Sequence, residues 1–303
     1  MPRKPRLFVA GGFYHVVLRG NGRADIFFKD DDREKWQSLL QRGLNRYGHR
    51  LHAYCWMTNH VHMLMQTGDI PLSTFLGALA GTYARSINAR NERVGHLFER
   101  RYRASLVQQD SYLLEVVRYI HLNPVKAHLV ESPDDYSWTS HHAYCGGSQP
   151  PWLTTDFVLN CFAPAARRAR AAYLRFISVD EPRPASGGLE RLSRLSSSDD
   201  QLIGDDDWKT ETLARHTAIS AARSLDELVV EVCSSFGVNE AQLCSKSRQR
   251  RYSAIRAEIA LSAVDEGIAT ISQVARRFGR AHSGLSRAVN RLRDQRDQRD
   301  QRQ

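Results

Sequence analysis

The stretch NHVHML, Asn59 to Leu64, sets two histidines two residues apart inside an apolar run. In an extended chain successive side chains alternate faces, so His60 and His62 point one way and Val61 and Met63 the other. Two neutral imidazoles side by side can hold one divalent cation. They can equally hydrogen-bond locally on a half-exposed sheet. Further along, VVRYIHLNP puts Tyr119 and Asn123 four apart, the spacing of one helix face. A tyrosine beside a bound cation can attack phosphate, provided a base or the cation overcomes its ordinary pKa of about 10. Asn123 would offer an oxygen ligand. Taken alone, Tyr119 is one of 11 tyrosines and packs like most of them.

These residues need elements to carry them. FYHVVLR, residues 13–19, is aromatic and β-branched and ends at the turn RGNGR, so a strand is expected. Residues 31–47 carry Trp36, Leu39, Leu40 and Leu44 at helical spacing. LHAYCWM and NHVHMLMQ read as two strands joined tightly around Thr58, with Trp56, Thr58, His60 and His62 on one face and Val61, Met63 and Met65 against helices. Leu72, Phe75, Leu76, Leu79, Tyr83 and Ile87 make a helical stripe within 71–90, and residues 102–108 make another strand. Asp110 or Ser111 caps a helix running to about Leu122, which Pro124 helps to end. The order is βαββαβ followed by a helix. That predicts an α+β fold, a ferredoxin-like antiparallel sheet with helices on one face.

The bulk properties bound the rest. The chain has 303 residues, a net charge of +10 and a mean hydropathy of −0.49. No apolar run approaches the roughly 18–20 residues of a membrane span, and the start MPRKPRLFVAGG is too short in apolar residues for a signal peptide. A cytoplasmic protein is expected. Cys55, Cys145, Cys161, Cys233 and Cys244 show no metal-ligand pair spacing and read as reduced structural thiols. Charge is uneven. Residues 1–150 hold 19 basic and 13 acidic groups, 181–245 hold 6 and 12, and 246–303 hold 14 and 6. Two basic ends around an acidic middle suit two surfaces that meet polyanions. The domains expected are 1–180, a flexible acidic linker over 181–223 rich in Pro, Gly, Ser and Asp, a helical module over 224–293, and a polar tail over 294–303.

Four motifs in order carry a family resemblance: GGFYHVVLRGNGRADIFF, His60-Val61-His62, GHLFERRYRA and RYIHLNPVKA. Over about residues 8–145 the chain resembles the insertion-sequence single-tyrosine (HUH) transposases, and among them the REP-associated tyrosine transposases of bacterial chromosomes. The resemblance implies a metal-dependent single-stranded DNA nuclease and strand transferase acting near hairpins. Tyr119 would attack a DNA phosphate to give a 5′-phosphotyrosine and a free 3′-OH. His60 and His62 would hold Mg2+ or Mn2+, with Asn123 as third ligand where many relatives carry Gln. Arg100, Arg101 and Arg103 would contact phosphates, or form a solvated basic turn. A bacterial, nucleoid-associated location is implied, as a monomer or a homodimer.

Within the C-terminal module, Ile255, Ile259, Ala260 and Ala263 form one stripe. TISQVARRFGR is a short helix ending at Gly279, and AHSGLSRAVNRLR a second with Leu285, Val289 and Leu292 inward. Helix, Gly-bearing turn, helix is a helix-turn-helix pattern. FGRAHSGLSRAVNRL, preceded by SKSRQRRYSAIRAEIA, resembles the DNA-binding domain of the replication initiator DnaA, except that Ala281 stands where that family has an acidic residue. The implied partner is duplex DNA, with Ser283, Ser286 and Arg287 on or near the recognition helix and Arg248, Arg250 and Arg251 on phosphates. A small bundle that binds protein is the other reading. For the whole chain, the alternative to an enzyme is a domesticated transposase fold that has lost its chemistry and regulates by binding DNA.

Overall fold

The computed structural model describes residues 7–99, 101–109, 111–178, 201–222, 224–245, 247, 249–265 and 268–300, with only the backbone at 111, 216–222, 265 and 293–300. The chain divides into two compact units, Met1–Lys209 and Thr210–Gln303.

The first unit is built on β1 (Phe13–Arg19), α1 (Asp30–Tyr47), β2 (Arg50–Trp56), β3 (His60–Gln66), α2 (Leu72–Arg90), β4 (Arg103–Val107) and α3 (Ser111–His121). The βαββαβ-helix order is the one the periodicities predict. Shorter helices follow: α4 (Asn123–Lys126), α5 (His141–Cys145), α6 (Asp156–Phe162) and α7 (Ala166–Ile177). Then come a two-residue strand β5 (Leu202–Ile203) and the start of α8 (Asp206–Ala222), most of which belongs to the second unit. The sheet order is β2-β3-β1-β4-β5, antiparallel except for the parallel pair β4–β5. The fold is therefore α+β.

Helices cover both faces of the sheet rather than one. Val16, Leu18, Trp56, Val61, Met63 and Met65 pack with Trp36, Leu40 and Leu44 of α1 and Phe75, Leu76 and Leu79 of α2. On the other face Phe13, Ala53, Cys55, Leu64 and Val107 meet Leu113, Val116, Val117 and Ile120 of α3. The strands show why. β1 and β3 are buried along nearly their whole length, and a strand covered on both sides carries a near-continuous apolar run. Trp56 pairs with Val61, so it lies on the α1–α2 face and not beside the histidines. The connection through Met57–Asn59 resets the alternation that an uninterrupted strand would keep.

Local chemistry sets the helix ends. Asp32 accepts from the Phe28 and Lys29 N–H groups at 2.8 and 3.2 Å, satisfying donors at the start of α1. The same buried carboxylate ion-pairs with Arg90 at the end of α2, tying the two helices together. Gly48 closes α1 in the left-handed region, where a Cβ would be strained.

Residues 201–222, read in the sequence as part of the linker, instead hold β5 and α8. Gln108 donates to Asp205 Oδ2 at 2.7 Å and its Oε1 accepts from the Asp205 N–H at 2.8 Å, fastening the stretch between β5 and α8 to the sheet edge. Residues 181–200 of that linker lie outside the described residues.

In the second unit, α9 (Leu225–Phe236), α10 (Glu240–Cys244), α11 (Arg250–Asp265), α12 (Ile271–Arg277) and α13 (His282–Asp300) enclose a core of Leu228, Leu243, Ile255, Ile259, Phe278 and Val289. The expected tail over 294–303 continues α13 as far as Asp300, and 301–303 lie outside the described residues.

Candidate active site

Strand pairing brings the two histidines together with groups from β1 and β4. His62 lies opposite Val17 and His60 opposite Arg19, while Val17 lies opposite Arg103 and His15 opposite Ser105. Direct cross-strand partners share a face. One face therefore carries His60, His62, His15, Arg19 and Arg103. The His60 and His62 rings stand 4.8 Å apart between centroids, nearly perpendicular.

The tight turn after β1 holds the first histidine. Gly20 N–H donates to the Asn59 carbonyl at 2.8 Å, and Asn59 Oδ1 meets His60 Nδ1 at 2.6 Å. Deeper in, His15 Nε2 and His62 Nδ1 lie 3.0 Å apart with their rings stacked. His62 is buried, and its Nε2 has no hydrogen-bond partner. A buried polar nitrogen left unpaired costs about 1–3 kcal/mol, so the position asks for a ligand.

α3 lays Tyr119 across this pair. Its ring is edge-on to His62 at 5.4 Å and to His15 at 5.6 Å between centroids, and Lys126 Nζ sits 4.8 Å from its centre. Pro124 has no N–H to give back to the helix, and the helix breaks at Leu122. Asn123 Nδ2 donates to the Tyr119 carbonyl at 3.0 Å, and the Asn123 side chain also hydrogen-bonds His60. The four residues singled out in the sequence, His60, His62, Tyr119 and Asn123, thus meet in one place.

All three imidazoles are neutral at pH 7. Burial pulls His15 down to about 4. Burial, aided by Arg19 and opposed by the Asn123 hydrogen bond, pulls His60 down to about 4. Burial, then His60, His15, Arg19 and Lys126, holds His62 well below its ordinary range. Neutral imidazole is the form that binds a metal. The donor set fits a divalent cation: two neutral imidazoles, one with an orphaned buried nitrogen, and an amide oxygen. Each imidazole also carries the hydrogen bond on its other nitrogen that orients metal-binding histidines. Arg19 and Lys126, which repel a proton from the rings, attract phosphate.

The sequence did not single out His15, Arg19 or Lys126. The available signal was period two along FYHVVLR, which puts His15 and Arg19 on one face. Of the expected phosphate contacts, Arg103 is half-buried on the histidine face, Arg101 is exposed beyond its end, and Arg100 lies outside the described residues.

In the second unit α12 and α13 are joined by a short turn with Gly279 at φ +59°. Ser283 and Arg287 are exposed on the first turns of α13 and Ser286 is half-buried, while Leu285 and Val289 face the core. Arg250 is exposed at the start of α11. Arg251 donates to the Phe236 carbonyl at 2.7 Å, so it closes the end of α9. Arg248 lies outside the described residues.

Residues 9–123 match the family model described as "Transposase IS200 like". Over 148 residues the chain is 26% identical to a Haemophilus influenzae protein provisionally named a REP-associated tyrosine transposase, which covers 45% of this chain and 84% of that protein. A solved structure titled as a REP-associated tyrosine transposase bound to a REP hairpin is similar with a TM-score of 0.43 at 16% identity, over 52% of this chain and 93% of that one. His15, His60, His62, Tyr119 and Asn123 all fall within the matched 9–123.

Proposed function

We propose that this chain, whose residues 9–123 are an IS200-like transposase domain, cuts and rejoins single-stranded DNA beside hairpins through Tyr119. The observation that carries the reading is the Tyr119 ring set edge-on to His62, whose buried Nε2 has no partner. In the reaction the Tyr119 oxygen attacks a backbone phosphorus. A bond forms between that oxygen and phosphorus, the bond from phosphorus to the 3′ oxygen breaks, and the phenol proton passes in net terms to the released 3′-OH. The phosphoester energy stays in the phosphotyrosine, so attack by a 3′-OH reverses the step onto the same or another strand without ATP.

His60, His62 and the Asn123 oxygen would hold Mg2+ or Mn2+, which when bound polarises the scissile phosphate. His15 keeps His62 in the tautomer with Nε2 free, by accepting from Nδ1–H. Arg19, Arg103 and Lys126 offer positive charge to the backbone. Asn123, through the Tyr119 carbonyl, fixes the helix end that carries the nucleophile. In the second unit, the α12–turn–α13 pair with exposed Ser283 and Arg287 is proposed to seat on duplex DNA, with Arg250 toward phosphate.

The test uses single-stranded oligonucleotides with hairpins drawn from the gene's own flanks, incubated with the full chain and Mn2+. A denaturing gel then looks for an adduct resistant to SDS. The expected result is protein on the 5′ end of the downstream fragment, lost in Tyr119→Phe and with EDTA. One observation favours a second reading: Tyr119 is only 5% exposed, so DNA must shift its surroundings to reach it. Retarded but uncut hairpins across the panel would establish a DNA-binding regulator instead.

A further inference from the structure

The first unit holds a second cluster of ligand-type side chains that the tyrosine chemistry does not use. His141 and Cys145 are four apart on α5 and face the same side. Asp134 comes from the short 3-10 turn Pro133–Asp135, where its backbone N–H donates to Ser132 Oγ at 3.3 Å. His141 Nε2 lies 3.1 Å from Asp134 Oδ1 and 3.4 Å from Cys145 Sγ. All three ligand atoms are within 4.8 Å of one another.

The two spacings from His141 Nε2 match two edges of a coordination tetrahedron. Zinc bonds of about 2.0–2.1 Å to N and O and about 2.3 Å to S set N···O edges of about 3.3 Å and N···S edges of about 3.5 Å. Little side-chain movement is needed to bring the three ligands onto one ion.

The far side of His141 is built as metal-binding histidines are. His141 Nδ1 lies 2.5 Å from Tyr173 Oη, which lies 2.8 Å from His121 Nδ1; His121 Nε2 lies 2.7 Å from Ser140 Oγ, which accepts from the Tyr54 N–H at 2.8 Å. His141, Tyr173, His121 and Ser140 are all fully buried. Four protons can be placed along this chain in two orders. In one, every donor points toward Asp134 and Nε2–H meets the carboxylate. In the other, every donor points toward β2: His141 Nδ1–H to Tyr173, Tyr173 O–H to His121, His121 Nε2–H to Ser140, and Ser140 O–H to the Tyr54 carbonyl, 3.3 Å away. The second order leaves the Nε2 lone pair facing a carboxylate and a thiol, and with the thiol deprotonated all three are acceptors around one point. A cation satisfies them together, and only the Sγ proton is released. Beside the cluster a cavity of about 430 Å3, lined by Glu131, Ser132, Leu174 and Ile177, leaves room for a water on the fourth position.

We propose that Asp134, His141 and Cys145 bind a soft divalent transition cation of the Zn2+ class, separately from the tyrosine site. A thiolate with an imidazole and one carboxylate selects zinc or cobalt over Mg2+. The bound ion ties α5 to the turn before it. Through Tyr173 and His121 it also sets the proton order at the end of α3, two residues beyond Tyr119.

The probe is Co2+, added to the reduced, chelator-stripped full chain and read by absorption. The expected result is a thiolate-to-cobalt charge-transfer band that saturates at one equivalent and is bleached by Zn2+. The band should disappear in Cys145→Ser and persist in a His60→Ala, His62→Ala double variant. Asp134→Asn changes an exposed side chain and is expected to fold, with Co2+ affinity at least tenfold weaker. Tyr173→Phe should weaken it by about 10–100-fold, the usual effect of removing a group that orients a ligand. A wild-type chain with no thiolate band, a band that survives Cys145→Ser, or an Asp134→Asn variant of unchanged affinity would each overturn the proposal.

Discussion

His15 makes the sharpest test of the tyrosine site, because it touches no substrate in the proposed reaction. Its Nε2 lies 3.0 Å from His62 Nδ1 and its ring stacks on His62. His15→Leu keeps a buried side chain of similar size in the same place and removes the acceptor together with the stacked ring. His62 then loses the bond that holds its proton on Nδ1, and the tautomer with Nε2 free competes with the other. Removing such an orienting partner weakens metal binding by about 10–100-fold, or about 1.4–2.7 kcal/mol at about 1.4 kcal/mol per tenfold. The assay is Mn2+ titration of the full chain by electron paramagnetic resonance, in which free Mn2+ is counted directly, beside the Mn2+ dependence of adduct formation. His15→Leu should move both midpoints up together, while Tyr119→Phe leaves the binding midpoint where it is. A folded His15→Leu protein with Mn2+ affinity within twofold of the parent would refute the assignment of His15 as the group that positions His62.

Three further outcomes are expected. A Cβ on Gly20 would stand 1.9 Å from the Ala24 carbonyl oxygen, so Gly20→Ala should lower stability by about 1–3 kcal/mol and weaken Mn2+ binding, because Gly20 N–H holds the turn at Asn59; denaturant melts and the same titration check both. His49 Nδ1 accepts from the Gly68 N–H at 3.0 Å, and burial pulls its pKa from 6.5 down to about 4. The folded pKa is depressed, so this stability is present above about 6.5 and drains as pH falls toward 4, at up to about 1.4 kcal/mol per pH unit; unfolding free energies from guanidinium melts at pH 7 and 5 should differ by up to about 2 kcal/mol more in the parent than in His49→Asn. Phe278 is fully buried in the second unit, so Phe278→Ala should cost that unit about 3–5 kcal/mol, seen by calorimetry as a lowered transition.

Much of this protein is legible along the chain because its signals are local. The 3.6-residue period places Trp36, Leu40 and Leu44 on one side of α1 and Leu72 through Ile87 on one side of α2. The two-residue period puts His60 and His62 on one face whatever the partner strand. The four-residue spacing of Tyr119 and Asn123 survives even though the helix breaks between them, because the Asn123 side chain takes up the Tyr119 carbonyl. In the second unit the stripe Ile255, Ile259, Ala260 and Ala263 is buried as its spacing predicts.

Pairing across long separations decided the remainder. β5 has two residues, too few to show any period, and exists because residues 201–203 bond to β4 nearly a hundred positions earlier. Which face of β2 carries Trp56 depended on register with β3, which a short connection can flip without changing the pattern of either strand. His15 joined the site only when β1 paired beside β3. Asp134 comes from the 133–135 turn, His141 and Cys145 from α5, Tyr173 from α7 and His121 from α3, and only packing of α5 and α7 against α3 makes them one network. Local spacing along the chain is enough to pick out His60, His62, Tyr119 and Asn123 and the elements that present them; that they share a site with His15, Arg19 and Lys126 follows from cross-strand register and helix packing, which alone bring side chains distant in sequence within bonding distance.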